Sequence, residues 1–333
     1  MGCVLPAGQG QIGYTYHPEM ASSGAGLVET ITAPDGGVLS YSYFGSLVFQ
    51  EIWDGSGSGM PSGSVERVYD SQRRVSAQTI NYQSPAIAFL YDDDGFLTNA
   101  GDLTLGRDPE NGLLVGSLLG AVSDTYLRND FGEVTDYTAA VSGTPVLETT
   151  YGRDEVGRID WKTEAVEGGA VESTFYEYDT AGRLYRVCDD APCAAIRAEY
   201  TYDLNGNRTG GFDEVSGAIT ATYDTQDRLL AYDGASYTYT ANGELTSKTD
   251  ASGTTTYVYD ALGNLRHVEL PGGTDIDYVI DGRNRRIGKK VDGSLVQALR
   301  YEDQLRPVAE LDPNGVVVSR FVYGERPNVP EYI

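Results

Sequence analysis

Apolar and polar positions alternate along much of this chain. Tyr176 and Tyr178 are two apart, as are Tyr257 and Tyr259. Residues two apart share one face of a strand, and tyrosine favours strands. An Asp-x-x-Gly step follows: Asp179 to Gly182, Asp203 to Gly206, Asp260 to Gly263. Asp at the head of a turn bonds backbone two residues on, and Gly supplies the positive φ that a closing position needs. Other turn signals lie between these steps, at Pro34-Asp35-Gly36-Gly37, Gly168-Gly169, Ser216-Gly217, Ser252-Gly253, Pro271-Gly272-Gly273, Asp292-Gly293 and Asn314-Gly315. Each period therefore predicts two strands and two turns. The fold class predicted is all-β, built of antiparallel hairpins.

The hairpins repeat. YEYDTAGRL at Tyr176 to Leu184 returns as YTYDLNGNR from Tyr200, ATYDTQDRL from Ala221, YVYDALGNL from Tyr257 and YVIDGRNRR from Tyr278. The Asp, or its replacement, falls at Asp70, Asp92, Asn129, Asp154, Asp179, Asp203, Asp224, Thr240, Asp260 and Asp281. The mean step is about 23 residues, a length typical of stacked supersecondary units. The one long gap, Asp92 to Asn129, holds GLLVGSLLG (Gly112 to Gly120), which reads as an insertion or an eroded repeat. Residues 1–333 are read as a single array: degenerate repeats in 1–65, clear repeats in 66–300 and a closing segment in 301–333. A Gly/Ser run within 54–64 predicts a long mobile loop.

If Asp179 to Gly182 is the whole loop, Tyr178 faces Arg183 and Tyr176 faces Tyr185. The same count pairs Tyr223 with Arg228 and Tyr259 with Asn264. The opposite face would pair Glu177 with Leu184, Thr222 with Leu229 and Val258 with Leu265. One reading of the first face is a ladder of guanidinium groups on rings, each contact worth about 0.5–1 kcal/mol when exposed. The other is that the tyrosines are strand formers on a half-wet sheet.

Composition narrows the function. Lys+Arg 24 against Asp+Glu 49 gives a net charge of −25, which argues against nucleic acid or anionic membrane as a partner. The basic group Arg283, Arg285, Arg286, Lys289 and Lys290 is the exception, read as a solvated hairpin or a seat for an acidic neighbour. No apolar run is long enough for a membrane-spanning helix. Met1-Gly2-Cys3 lacks a basic start and an apolar stretch, so the sequence predicts export by another route or an internal piece of a larger protein. Cys188 and Cys193 flank a predicted hairpin tip, where a disulfide is plausible in an oxidising compartment; Cys3 is left over.

Catalytic and metal chemistry find little support. The two histidines, His17 and His267, have no adjacent nucleophile in a recognisable elbow. Asp92 to Asp94 and Asp203 to Asn207 resemble calcium loops but lack the closing ligand. Copies of one hairpin give unlike catalytic groups no evident place to converge. The sequence predicts no enzyme, no cofactor and no metal.

The Tyr-Asp-x-x-Gly-Arg/Asn-Leu unit resembles the YD repeat of RHS and teneurin proteins over nearly the whole chain. Tyr323-Gly324-Glu325-Arg326-Pro327-Asn328-Val329-Pro330 is similar to the segment that closes RHS arrays. The resemblance implies a continuous spiral sheet forming a shell or barrel segment that encloses a C-terminal toxin or effector. It implies a secreted or surface location. The Asp-His-Leu-Gly segment and the Asp-Pro-x-Gly region for aspartyl self-cleavage in bacterial members are missing, so cleavage activity is not carried over. The residues implied to matter are structural: Tyr178, Asp179, Gly182 and Arg183; Tyr202, Asp203 and Gly206; Tyr223, Asp224 and Arg228; Tyr259, Asp260 and Gly263. The alternative function is an extracellular module binding carbohydrate or protein through exposed tyrosines. At ~4.8 Å per strand, eleven or twelve hairpins make a sheet roughly 105–115 Å wide, and one turn of it would leave a lumen of about 20–25 Å. The chain alone is then expected to be one turn of shell with an unpaired edge, not a closed capsule.

Overall fold

A computed structural model describes residues 2–4, 10–19, 23–83, 85–326 and 328–333, with Gly2–Val4 described by backbone alone. Pro327 of the closing segment and the side chain of Cys3 lie outside the described residues. Among the described residues there is no helix, only strands, turns and short connections. Each described register joins a strand to the next in sequence, antiparallel: Glu172–Tyr178 to Leu184–Cys188, then to Ile196–Tyr202, then to Arg208–Asp213. The fold class is therefore the all-β hairpin array that the doubled turn signals predicted.

The register differs from the one counted from the sequence. Tyr178 lies opposite Leu184, Tyr223 opposite Leu229, and Tyr259 opposite Leu265. On the other face Glu177 meets Arg186, Thr222 meets Ala231 and Val258 meets His267. The cause is the turn. The Gly182 N–H donates to the Asp179 carbonyl at 2.9 Å, and the Asp179 N–H donates to the Arg183 carbonyl at 2.9 Å. Asp179 and Arg183 thus form the closing pair, and Gly182, at φ 80, makes a glycine bulge. The bulge shifts the pair beside the turn by one residue, and a second irregularity between Glu177 and Tyr178 shifts the pairs beyond it by two.

The long gap contains a repeat. The Gly112 N–H donates to the Asp108 carbonyl at 2.9 Å, and the strand Leu103–Arg107 pairs with Leu114–Leu119. The turn Asp108-Pro109-Glu110-Asn111-Gly112 is one residue longer than the others, which hid it.

Two compact units divide the chain. The first comprises Met1–Gly101, Tyr239–Lys248 and Ser252–Ile333. Its core joins early and late strands. Ile12, Leu39, Trp53, Val65 and Ile80 pack in one cluster with Val279, Ile287, Ala298, Val308 and Leu311. The Gly/Ser run belongs to this packing: Met60 is buried in the cluster, and the Met60 and Ser58 N–H groups both donate to the Gly55 carbonyl.

The second unit comprises Asp102–Thr238 and Thr249–Ala251. Its longest strands are Val134–Val141, Thr144–Arg153 and Ile159–Val166, paired in order. Its buried side chains are mostly small, among them Thr149, Thr174, Ala198 and Ala221. Stability there rests on backbone pairing and on the contacts between repeats described next.

Candidate functional site

The motif residues meet at the Asp-x-x-Gly ends of the hairpins. At Asp179, Oδ1 accepts the N–H groups of Ala181 and Arg183, both at 2.9 Å, and Oδ2 accepts Arg183 Nε at 2.7 Å. Asp224 makes the same set with Gln226 and Arg228. At Asp203 and Asp260 the partner side chains are Asn207 and Asn264. The backbone N–H of Arg183, then its side chain, hold Asp179 below the ordinary carboxylate range; Arg228 does the same for Asp224. Gly206 and Gly263 share the left-handed conformation, at φ 91 and 80. These bonds also occupy the carboxylate that a calcium reading of Asp203 to Asn207 would need.

Arginines that close these turns stack on a tyrosine of the following repeat, not of their own. Arg158 lies over Tyr178 at 4.3 Å, Arg183 over Tyr202 at 4.6 Å, and Arg74 over Tyr91 at 4.3 Å. The same tyrosines reach back with their hydroxyls. Tyr178 Oη donates to the Ile159 carbonyl at 2.7 Å, Tyr202 to Leu184 at 2.7 Å, and Tyr223 to Arg208 at 3.0 Å. Tyr91, Tyr301 and Tyr323 do likewise with Val75, Arg286 and Pro307. The acceptor in each is the residue that follows the one closing the preceding turn. Burial raises the hydroxyl pKa of Tyr178 and Tyr202 and keeps them donors.

Sequence reasoning missed a second form of this rung. Arg128 and Arg153 stand where the tyrosine should be. Arg153 Nη2 donates to the Val134 carbonyl at 3.2 Å, the site a tyrosine hydroxyl takes elsewhere, and Nη1 donates to its own turn at Gly157, 3.1 Å away. Arg128 does the same with Leu114 and Gly132. The preceding turn then carries Glu133 in place of arginine, 3.6 Å from Arg153. Ring and cation have exchanged for cation and anion. The signal was present as Arg107, Arg128 and Arg153, each just before a turn.

A second cluster lies in the first unit. Glu51 and Arg285, both fully buried, meet at 2.5 Å, and Asp281 holds Arg285 from within its own turn at 2.8 Å. The Tyr41 hydroxyl donates to Glu51 at 3.2 Å, and Trp53 lies 5.2 Å from the Arg285 guanidinium. Burial opposes the Arg285 cation, but the Glu51 and Asp281 charges outweigh it and raise its pKa. Arg300 is also fully buried; it donates to the carbonyls of Leu299 and Pro61, and burial pushes its pKa down to about 10. Of the predicted basic group, Arg285 thus serves an internal ion pair, while Arg286 is exposed. Nothing in the sequence linked Glu51 to Arg285, 234 residues apart.

Cys188 and Cys193 form a disulfide across the hairpin tip, with Cα atoms 5.2 Å apart. The Asp189 N–H donates to the Ala195 carbonyl beneath it at 3.0 Å.

An antiparallel hairpin array cross-linked rung to rung by Tyr, Arg and Asp is a YD-repeat sheet. The teneurin YD-shell model matches residues 5–333, and the chain belongs to that family. Two solved structures share the fold. The Tc holotoxin pore of Photorhabdus luminescens matches 96% of this chain and 21% of that one, at TM-score 0.62 and 12% identity. The crystal structure of TcdB2-TccC3 without its hypervariable C-terminal region matches 91% of this chain and 18% of that one, at TM-score 0.54 and 14% identity. Among curated proteins, the tRNA3(Ser)-specific nuclease WapA of Bacillus spizizenii is 31% identical over 139 residues, 40% of this chain. The chain spans 6% of that nuclease's length.

Proposed function

We propose that this array is a wall segment of a shell that sequesters a polypeptide cargo, a toxin or effector, without catalysing a reaction itself. The observation that supports it is where the recurring residues go. Tyr178, Asp179, Gly182, Arg183 and their equivalents close turns and bind one repeat to the next, and their polar groups are engaged in that work. Such a sheet pairs its strands along its length and leaves few exposed edges. The single array over 1–333, with 301–333 as its closing part, belongs to the same proposal. So does export to the cell surface or medium, supported by the short disulfide.

Limited proteolysis of the full gene product tests the proposal. A segment outside residues 1–333 should resist cleavage, and should lose that protection when Glu51→Ala loosens the array. Equal cleavage in both, or a product with no other segment, overturns it.

A recognition reading has one observation in its favour. An apolar groove of about 610 Å³ is lined by Phe44, Leu47, Phe49, Val68 and Tyr69, with Phe44 74% exposed. Phe44→Ser with Phe49→Ser should abolish binding to cell-surface protein or glycan if that reading holds.

A further inference from the structure

One rung of the ladder lacks its ring and its hydroxyl: the buried Ile280 stands in their place. At the motif-end turns, headed by Asp70, Asp92, Asp108, Asn129, Asp154, Asp179, Asp203, Asp224, Thr240, Asp260, Asp281 and Glu302, the residue before the turn is tyrosine or arginine, except at Ile280. The preceding turn offers Asn264 in place of the arginine. Isoleucine has no hydroxyl to give the Leu265 carbonyl, which stands where the other rungs place their acceptor. The ring is missing too, and a groove of about 370 Å³ opens there, lined by Asn264, Leu265, Tyr278, Ile280, Arg286 and Gln304. Arg286 is exposed at its edge and lies 4.9 Å over Tyr278.

We propose that this groove binds a tyrosine side chain of an incoming polypeptide, with an acidic residue beside that tyrosine meeting Arg286. The repeat states what fits. Elsewhere on this ladder, at Tyr178, Tyr202, Tyr223 and Tyr301, the position holds a phenol whose hydroxyl donates to the carbonyl of the residue after the one closing the preceding turn. A guest phenol supplies the hydroxyl donor and the aromatic face that Ile280 lacks. The charge preference follows from Arg286, an exposed cation in a chain of net charge −25.

The test is titration of the full chain with N-acetyl-Tyr-Glu-amide, followed by backbone amide shifts at Leu265 and Arg286. Saturable shifts confined to this groove are expected. The Phe-Glu analogue should bind about fivefold more weakly, the cost of one lost hydroxyl bond. Ile280→Tyr fills the rung from within and should weaken binding by about tenfold or more while keeping the fold. Arg286→Ala should erase the preference for Tyr-Glu over Tyr-Gln and leave the Tyr-over-Phe preference intact. No saturable binding, or equal binding of the Phe peptide, overturns the proposal, as does unchanged affinity in a folded Ile280→Tyr chain. Equal affinity for the Tyr-Glu and Tyr-Gln peptides overturns its acidic part.

Discussion

At the scale of single residues, the glycine and the aspartate of the motif act by different means. Gly182 has room for a side chain, since an added Cβ would meet nothing nearer than the Arg158 guanidinium at 3.4 Å. Its requirement is conformational, at φ 80. Gly182→Val should therefore cost about 1–2 kcal/mol from strain alone, read as a lower urea midpoint. The aspartates act by charge. The bonds to Asp179, Asp203 and Asp224 lower their folded-state pKa values below the unfolded carboxylate value of about 3.9. Their contribution is complete above that value and fades as the pH falls through the folded-state values. The urea midpoint should be level from neutral pH to about pH 5 and drop below about pH 4. Because the turn itself occupies the Asp203 carboxylate, a chelator should leave the melting temperature unchanged; a drop would revive the calcium reading.

At the scale of the hairpin, the tie between neighbours is the measurable quantity. Tyr202 both receives Arg183 on its ring and donates to the Leu184 carbonyl. Tyr202→Phe keeps the ring and removes the hydroxyl, leaving a half-buried acceptor, and should cost about 1 kcal/mol. A double-mutant cycle of Arg183→Ala with Tyr202→Ala should give a coupling of about 0.5–1 kcal/mol. The corresponding cycle of Arg183 with Tyr178 should give a coupling near zero. That contrast distinguishes stacking between repeats from the stacking within one hairpin that sequence counting suggested. Strands, turns and period were legible because each is written locally, in alternation and in Asp-x-x-Gly. The facing pairs were not. Gly182 forms a bulge rather than a plain loop closure, and a bulge shows in no hydrophobic pattern. The Arg128 and Arg153 rungs were hidden for another reason: the motif is written in tyrosine, whereas what recurs from repeat to repeat is a donor for one carbonyl.

At the scale of the whole chain, the first unit depends on residues far apart in sequence. Glu51 and Arg285 are buried together, and Val65 and Ile80 share a core with Val308 and Leu311. Glu51→Ala leaves a buried cation with one partner fewer and should cost about 3–5 kcal/mol. Hydrogen exchange should show faster opening of Val65 and Leu311 together, while amides of the strand Val134–Val141 in the second unit are little changed. Joint loss across both units would show that they unfold as one. No local pattern foretold this core, since Glu51 and Arg285 meet across 234 residues and neither sits in a motif that marks the other.

The direction of the tyrosine bond has a consequence for how such arrays grow. A hairpin of the commonest form, such as the one that holds Tyr178 and Arg183, carries one outgoing contact, a phenol aimed backward, and one incoming contact, a carbonyl and a guanidinium held ready for its successor. Head and tail are thus complementary parts of the same module, as in a coupling on a railway carriage. A duplicated hairpin inserted at any rung arrives with both ends compatible, and length can change without redesign of the neighbours. The exchange of tyrosine for arginine at residue 153 comes with Glu133 in the turn before it, so that there both halves of the coupling changed together. Ile280 is then a carriage missing half of its coupling, left for a visitor to complete.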